Sequence, residues 1–159
     1  MSRRDLAARS LAMLAMAGWL GGLAFYGAAV IPVLHDAVGG TRAGLTITPR
    51  VTDRLNLVGL GVLALWWPLV VAERDLGPAR ARRLRVAALG LSTTILSALA
   101  ALHRVMEHHL DTTGLAGFYP YHRAYLLAST VQWLANVGVL VASLAIWGGG
   151  RNLSMDDKE

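Results

Sequence analysis

Long apolar segments alternate with short charged segments along the chain. Four runs contain no charged residue, at 11–34, 55–72, 86–102 and 124–150. A helix needs about 20 apolar residues to cross a bilayer, because the hydrocarbon core is about 30 Å thick and each residue rises about 1.5 Å. The pattern therefore predicts four membrane-spanning helices, spans one to four, at about 11–34, 53–72, 86–109 and 122–148.

Helices are favoured over strands for these segments. A strand of a membrane barrel alternates polar and apolar residues over about 10 positions, and none of the four segments does so. An open strand would leave backbone groups without hydrogen bonds in lipid. We therefore predict an all-α membrane protein with one domain over residues 1–150, an up-down-up-down bundle of four transmembrane helices.

Turn-forming residues mark the connections between the spans. Glycine and proline interrupt the apolar pattern, so we expect irregular chain at 35–52, 73–85 and 110–121. Thr52 or Asp53 is the expected N-cap of span two. The polar segment 151–159 is predicted to be a disordered cytoplasmic tail.

The distribution of basic residues predicts the orientation. Of the 15 Lys and Arg residues, the larger group flanks the termini and the middle connection. This group is Arg3, Arg4, Arg9, Arg74, Arg80, Arg82, Arg83, Arg85, Arg151 and Lys158. The smaller group, on the opposite side, is Arg42, Arg50, Arg54, Arg104 and Arg123. By the positive-inside rule, both termini face the cytoplasm, and we expect a multi-pass protein of the inner membrane.

Composition narrows the chemistry further. Charged residues make up 16% of the chain, against about 25% in soluble domains, and the mean hydropathy is +0.47. The net charge of +5 comes from arginines that lie beside the spans, where the membrane topology requires them. We therefore expect the protein to contact the lipid bilayer and not nucleic acid. The chain has no cysteine, which excludes disulfides, thiolate catalysis and cysteine-ligated metal centres. No catalytic motif is recognisable, and we favour a protein that is not an enzyme.

Polar residues within the spans are concentrated toward the outer side. In span four, His122, Tyr125, Ser129, Gln132 and Asn136 follow one another at steps of 3, 4, 3 and 4, which places them on one helical face. Because such a face is costly in lipid, it should point into the bundle. It either forms hydrogen bonds between helices or lines a polar pocket that narrows from the outer surface.

Our leading hypothesis is an outward-facing polar pocket that binds or passes a small solute or ion. It would lie between spans three and four, where imidazole, carboxylate and amide groups come together. The residues predicted to line it are His103, Glu107, His122, Tyr125, Ser129, Gln132, Asn136, Asp53, Arg104 and Arg123.

A metal or haem site is the second hypothesis. His103 and Glu107 are four residues apart on one face of span three, and His122 begins span four. Imidazole and carboxylate groups suit a transition metal, and two imidazoles suit the axial positions of a haem. This set would make the protein a membrane redox or oxygenase enzyme. Against it, the sequence contains no established ligand motif such as H-E-x-x-H.

Glycines in span one suggest the third hypothesis, a structural or assembly subunit. Gly18 and Gly22 are four residues apart, a spacing that permits close approach of membrane helices. This face would dock a partner subunit or form a homo-oligomer.

The first span also carries a family resemblance. Trp19-Leu20-Gly21-Gly22-Leu23-Ala24-Phe25-Tyr26, followed by Val30-Ile31-Pro32, resembles the first helix of small bacterial membrane proteins. These belong to a domain-of-unknown-function family that includes the eukaryotic four-helix protein associated with cisplatin resistance. Tyr121-His122-Arg123-Ala124-Tyr125 resembles the start of the last helix in the same family, and copper-resistance-D-type membrane proteins have a similar first helix. The resemblance implies a four-helix membrane protein and assigns no residue a role.

Overall fold

The computed structural model describes residues 2–38, 42–113 and 115–149, and the regular structure in these ranges is helical. The helices are α1 (Arg3–Phe25), which continues through a π-helical turn (Tyr26–Val30) into α2 (Ile31–Val38), then α3 (Arg42–Ala72), α4 (Ala79–Thr113) and α5 (Leu115–Gly149). Four stretches are long and apolar enough to cross a membrane: Arg3–Val38, Ile47–Ala72, Ala79–Met106 and Pro120–Gly148. The predicted all-α class with four spanning helices is confirmed.

The helices extend further than the turn-forming residues suggested. Thr52 and Asp53 are not N-caps, because both lie inside α3, where the Thr52 hydroxyl donates to the Thr48 carbonyl at 2.9 Å. Pro49 and Pro120 are also within helices. Proline is tolerated in membrane helices because neighbouring groups satisfy the backbone it disturbs. The predicted tail, 151–159, lies outside the described residues, as do 39–41, 114 and 150.

Four helices form a closed bundle in which each packs against two neighbours. Contacts join α1 to α3, α3 to α4, α4 to α5 and α5 to α1, and the α4–α5 contact is the most extensive. The short connection between α3 and α4 makes them antiparallel neighbours. The main apolar core lies toward the end where α3 stops and α4 begins, and a smaller apolar cluster of Leu99, Met106 and Tyr125 lies toward the other end. We call these the α3–α4 end and, after the predicted orientation, the outer end.

Two glycines are required by close contacts. A Cβ atom at Gly59 would overlap the indole ring of Trp19, which is 2% exposed between α1 and α3. Gly77 has φ +71°, a conformation that glycine adopts without strain, and a Cβ there would be 2.9 Å from the Ile146 Cα atom. The α3–α4 turn is therefore held tightly against the end of α5.

Candidate functional site

A group of polar side chains from three helices meets near the outer end of the bundle. The His103 Nε2 atom of α4 lies 3.4 Å from Oδ1 of Asp53 on α3. The Asn56 amide donates to the Tyr125 hydroxyl of α5 at 3.0 Å, and the rings of His103 and Tyr125 are in edge contact at 6.4 Å. We call Asp53, Asn56, His103 and Tyr125 the His103 cluster.

The cluster combines burial with one accessible charge. His103 and Asn56 are 6% and 9% exposed, whereas the Asp53 side chain is 60% exposed. The Asn56 amide nitrogen is used as a donor to Tyr125, which leaves the Asn56 carbonyl oxygen as an acceptor. The cluster therefore combines an exposed carboxylate with a buried imidazole, a buried amide and a buried phenol.

Apolar side chains separate this cluster from the next polar contact inside the bundle. Leu96 and Leu99 are each 1% exposed on the same face of α4. Beyond them, the Ser92 hydroxyl donates to the Asn136 carbonyl oxygen at 2.6 Å, and Gln132 makes a long contact of 3.5 Å with the Ser92 carbonyl. His103 and Ser92 are about 16 Å apart along α4 at 1.5 Å per residue. Leu96 and Leu99 occupy that interval on α4, so the polar side chains of α4 do not form a continuous file, whereas Ser129 and Gln132 lie between Tyr125 and Asn136 on α5.

The polar face predicted for span four points into the bundle. Tyr125, Gln132 and Asn136 are buried, and Ser129 and His122 are half-buried. This face forms hydrogen bonds between helices, and the polar pocket stays a prediction. Asn136 and Gln132 approach α4 at the level of Ser92, and Tyr125 joins the His103 cluster.

The remaining predicted pocket residues are placed differently. Arg104 and Arg123 are exposed, and the side chain of Glu107 lies outside the described residues. Within the described ranges, no three His, Cys, Asp or Glu side chains come close enough together to hold a metal ion. The predicted set of His103, Glu107 and His122 stays a prediction, because the side chain of Glu107 is not described.

A second polar cluster, at the α3–α4 end, was not predicted from the sequence. Glu73 accepts from the Arg9 Nε–H at 2.6 Å and from an Arg85 N–H at 2.8 Å. The Trp147 indole N–H also donates to this carboxylate, at 3.0 and 3.2 Å to its two oxygens. We call Arg9, Glu73, Arg85 and Trp147 the Glu73 cluster.

The Glu73 cluster joins all four spans. Arg9 comes from α1, Glu73 from the residue after α3, Arg85 from α4 and Trp147 from α5. Glu73 is 6% and Arg85 1% exposed, and the Arg9 guanidinium lies over the Trp147 ring at 5.2 Å. Arg85, predicted in a loop, is inside α4. Buried polar residues are therefore not concentrated at the outer side alone, as the sequence pattern had predicted.

The glycines of α1 do not form one free surface. A Cβ at Gly18 or Gly21 would have no neighbour within 4 Å, whereas a Cβ at Gly22 would contact Leu55 of α3 at 3.6 Å. Gly22 thus faces the bundle, and Gly18 faces away from it.

Comparisons of the chain with protein-family models, curated proteins and solved structures gave no match. The family resemblance of the first span therefore stays a prediction.

Proposed function

We propose that this protein is an inner-membrane protein, with both termini in the cytoplasm, that binds a small cationic solute from the outer side at the His103 cluster. The observation that carries the proposal is the exposed Asp53 carboxylate, 3.4 Å from an imidazole that is itself buried. Three helices contribute to the cluster, which gives its groups fixed positions. A protonated amine suits it, because an amine supplies donors to the carboxylate and a positive charge to the aromatic rings.

Binding is favoured over passage through the bundle. A conduit for a charged solute needs polar groups or water along its length, because an isolated charge in an apolar interior is costly. On α4, Leu96 and Leu99 are almost fully buried between His103 and Ser92. The solute would therefore bind and leave on the same side.

We expect a primary amine to stabilise the protein through Asp53. With methylammonium chloride as the probe, thermal unfolding in detergent should shift upward relative to sodium chloride at equal ionic strength. At ten times the dissociation constant, the gain in unfolding free energy is about 1.4 kcal/mol. Asp53→Asn should remove the shift, because the neutral amide no longer attracts the amine.

Asp36→Asn is the matched control for this experiment. Asp36 is another exposed carboxylate near the outer end, on α2, and it is outside the His103 cluster. This variant should retain the full shift. The proposed site would be overturned if sodium acetate raised the unfolding temperature as much as methylammonium chloride does. It would also be overturned if Asp53→Asn kept the full shift.

The orientation has a direct test, because the chain contains no cysteine and single cysteines can be introduced without background. Arg50→Cys places a thiol at the outer end, and Asp75→Cys places one in the α3–α4 connection. A membrane-impermeant maleimide should label only the first in intact cells and both after permeabilisation. The reverse pattern would show that the bundle is inserted the other way round.

A further inference from the structure

A pair of polar side chains joins α4 to α5 near the middle of the membrane-spanning part of the bundle. Ser92 and Asn136 lie near the midpoints of the spans Ala79–Met106 and Pro120–Gly148, and both are 0% exposed. The Ser92 hydroxyl donates to the Asn136 carbonyl oxygen at 2.6 Å. The amide nitrogen of Asn136 is buried and has no hydrogen-bond partner among the described residues. Two N–H donors of one amide therefore lie inside the bundle without an acceptor.

Gln132 brings a second amide to the same place. It is one helical turn from Asn136 on the same face of α5 and is 1% exposed. Its amide nitrogen lies 3.5 Å from the Ser92 carbonyl oxygen, longer than the usual range of about 2.7–3.2 Å. Both amide groups are therefore beside the same residue of α4, and neither uses its donors fully.

The missing acceptor must be small and neutral. Buried donors are rarely left unpaired in proteins, because the loss of their hydration is then not offset. An anion is a poor acceptor here, since Ser92, Gln132 and Asn136 are all neutral and an isolated charge at this depth is costly. Neither of the two main grooves of the described bundle, both at the α3–α4 end, is lined by these three residues. A large ligand therefore has no opening beside them.

We propose that Ser92, Gln132 and Asn136 bind one water molecule. Its oxygen accepts from the amide nitrogens of Asn136 and Gln132. One of its O–H groups donates to the Ser92 hydroxyl oxygen, whose own proton is used by Asn136. About three hydrogen bonds are typical of a buried water. This water links α4 to two positions on α5 and so fixes the rotation of the two helices about their axes.

The site does not depend on how the Asn136 amide is turned. If its nitrogen and oxygen exchange places, the nitrogen donates to the Ser92 hydroxyl, and the oxygen is the atom without a protein partner. The water then donates to that oxygen. In both arrangements one water completes the hydrogen bonds of the pair.

The test is X-ray hydroxyl-radical labelling of the purified full chain in lipid nanodiscs, read out by mass spectrometry. The beam splits a water held inside the protein, and the radical modifies the side chains next to it. Leu89 and Leu96 flank Ser92 on the buried face of α4 and are 0% and 1% exposed. We expect both leucines to be labelled even when a radical scavenger in the solvent suppresses labelling of the exposed His108.

Two variants remove the proposed ligands of the water. Asn136→Leu removes the unpaired amide and should lower the scavenger-resistant labelling of Leu89 and Leu96 to background. Gln132→Met removes the second amide at a similar side-chain volume and should lower the labelling as well. It keeps the test decisive if Asn136→Leu does not fold.

Ser143→Ala is the matched control. Ser143 is also 0% exposed on α5, but its hydroxyl donates to the Val139 carbonyl at 2.7 Å. This variant should be labelled as the unmodified protein is. The proposal is overturned if Leu89 and Leu96 are not labelled, if the scavenger suppresses their labelling as it does that of His108, or if both amide variants keep it. No amine is present in the experiment, so its result is separate from that of the proposed amine site.

Discussion

Replacement of Glu73 by alanine should destabilise the bundle by about 3–5 kcal/mol, the cost of removing one partner from a buried ionic cluster. In the intact protein, the Glu73 carboxylate accepts from Arg9 and Arg85 and from the Trp147 indole. Without it, two guanidinium groups face each other in a largely water-free space. The measurement is unfolding in detergent, followed by circular dichroism.

Asp75→Ala separates this effect from the loss of any carboxylate in the same turn. The Asp75 side chain is 88% exposed and pairs at 3.5 Å with Arg74, itself 77% exposed. Exposed pairs contribute little, so this variant should unfold like the unmodified protein. Equal loss in both variants would contradict a specific role for Glu73.

A double variant tests whether charge imbalance is the cause. Glu73→Gln alone keeps the size of the side chain and an acceptor for Trp147, but leaves both arginines without a counter-charge. Adding Arg85→Met removes one of the two positive charges and fills its volume. Because the two residues are in contact, we expect the double variant to be more stable than the sum of the single losses predicts. Additive losses would assign the effect to packing.

The sequence predicted the four spans well, because bilayer thickness dictates how long an apolar helix must be. It predicted the helix ends poorly. Pro49, Pro120 and Gly77-Pro78 all look like helix breakers, yet Pro49 and Pro120 lie inside helices and only the last pair lies in a connection, directly before α4. In a bundle, tertiary contacts can maintain a helix through a proline that would end it in isolation. Local turn propensity therefore says little about where a membrane helix stops.

Only the span-four part of the candidate site could be predicted from the sequence, because the residue spacing describes one helix at a time. The 3-4 spacing of polar residues on span four identified an inward face, and Tyr125, Gln132 and Asn136 are buried there. The partners Asn56 and Ser92 were not identified, since the spacing on one helix says nothing about how its neighbours are rotated about their axes. Nothing in the span-four pattern itself distinguishes Ser92 from other serines.

The Glu73 cluster could have been found from the helical spacing of Arg85 and Glu73, but the positive-inside rule already accounted for the arginines. On α4, the buried residues Leu89, Ser92, Leu96, Leu99, His103 and Met106 follow a 3-4 spacing, and Arg85 continues it by one step of four. Glu73 continues the buried face of α3 in the same way, three residues after Val70. The sequence analysis used the arginines near the spans only to predict the orientation of the helices in the membrane. The helical face on which each one lies shows which of them points inward.

Gly59→Ala should be the most damaging of the conservative substitutions in the apolar contacts. The added Cβ would overlap the Trp19 indole, which is almost fully buried between α1 and α3. Overpacking of this kind costs about 1–3 kcal/mol, because the ring or the helix must move. Gly61→Ala on the same helix has no neighbour within 4 Å of the new Cβ and should not lower stability. Trp19→Phe makes room for the methyl group, so combining it with Gly59→Ala should recover part of the loss. If the combined variant is no more stable than the sum of the two single losses predicts, the Trp19–Gly59 contact is not what holds α1 against α3.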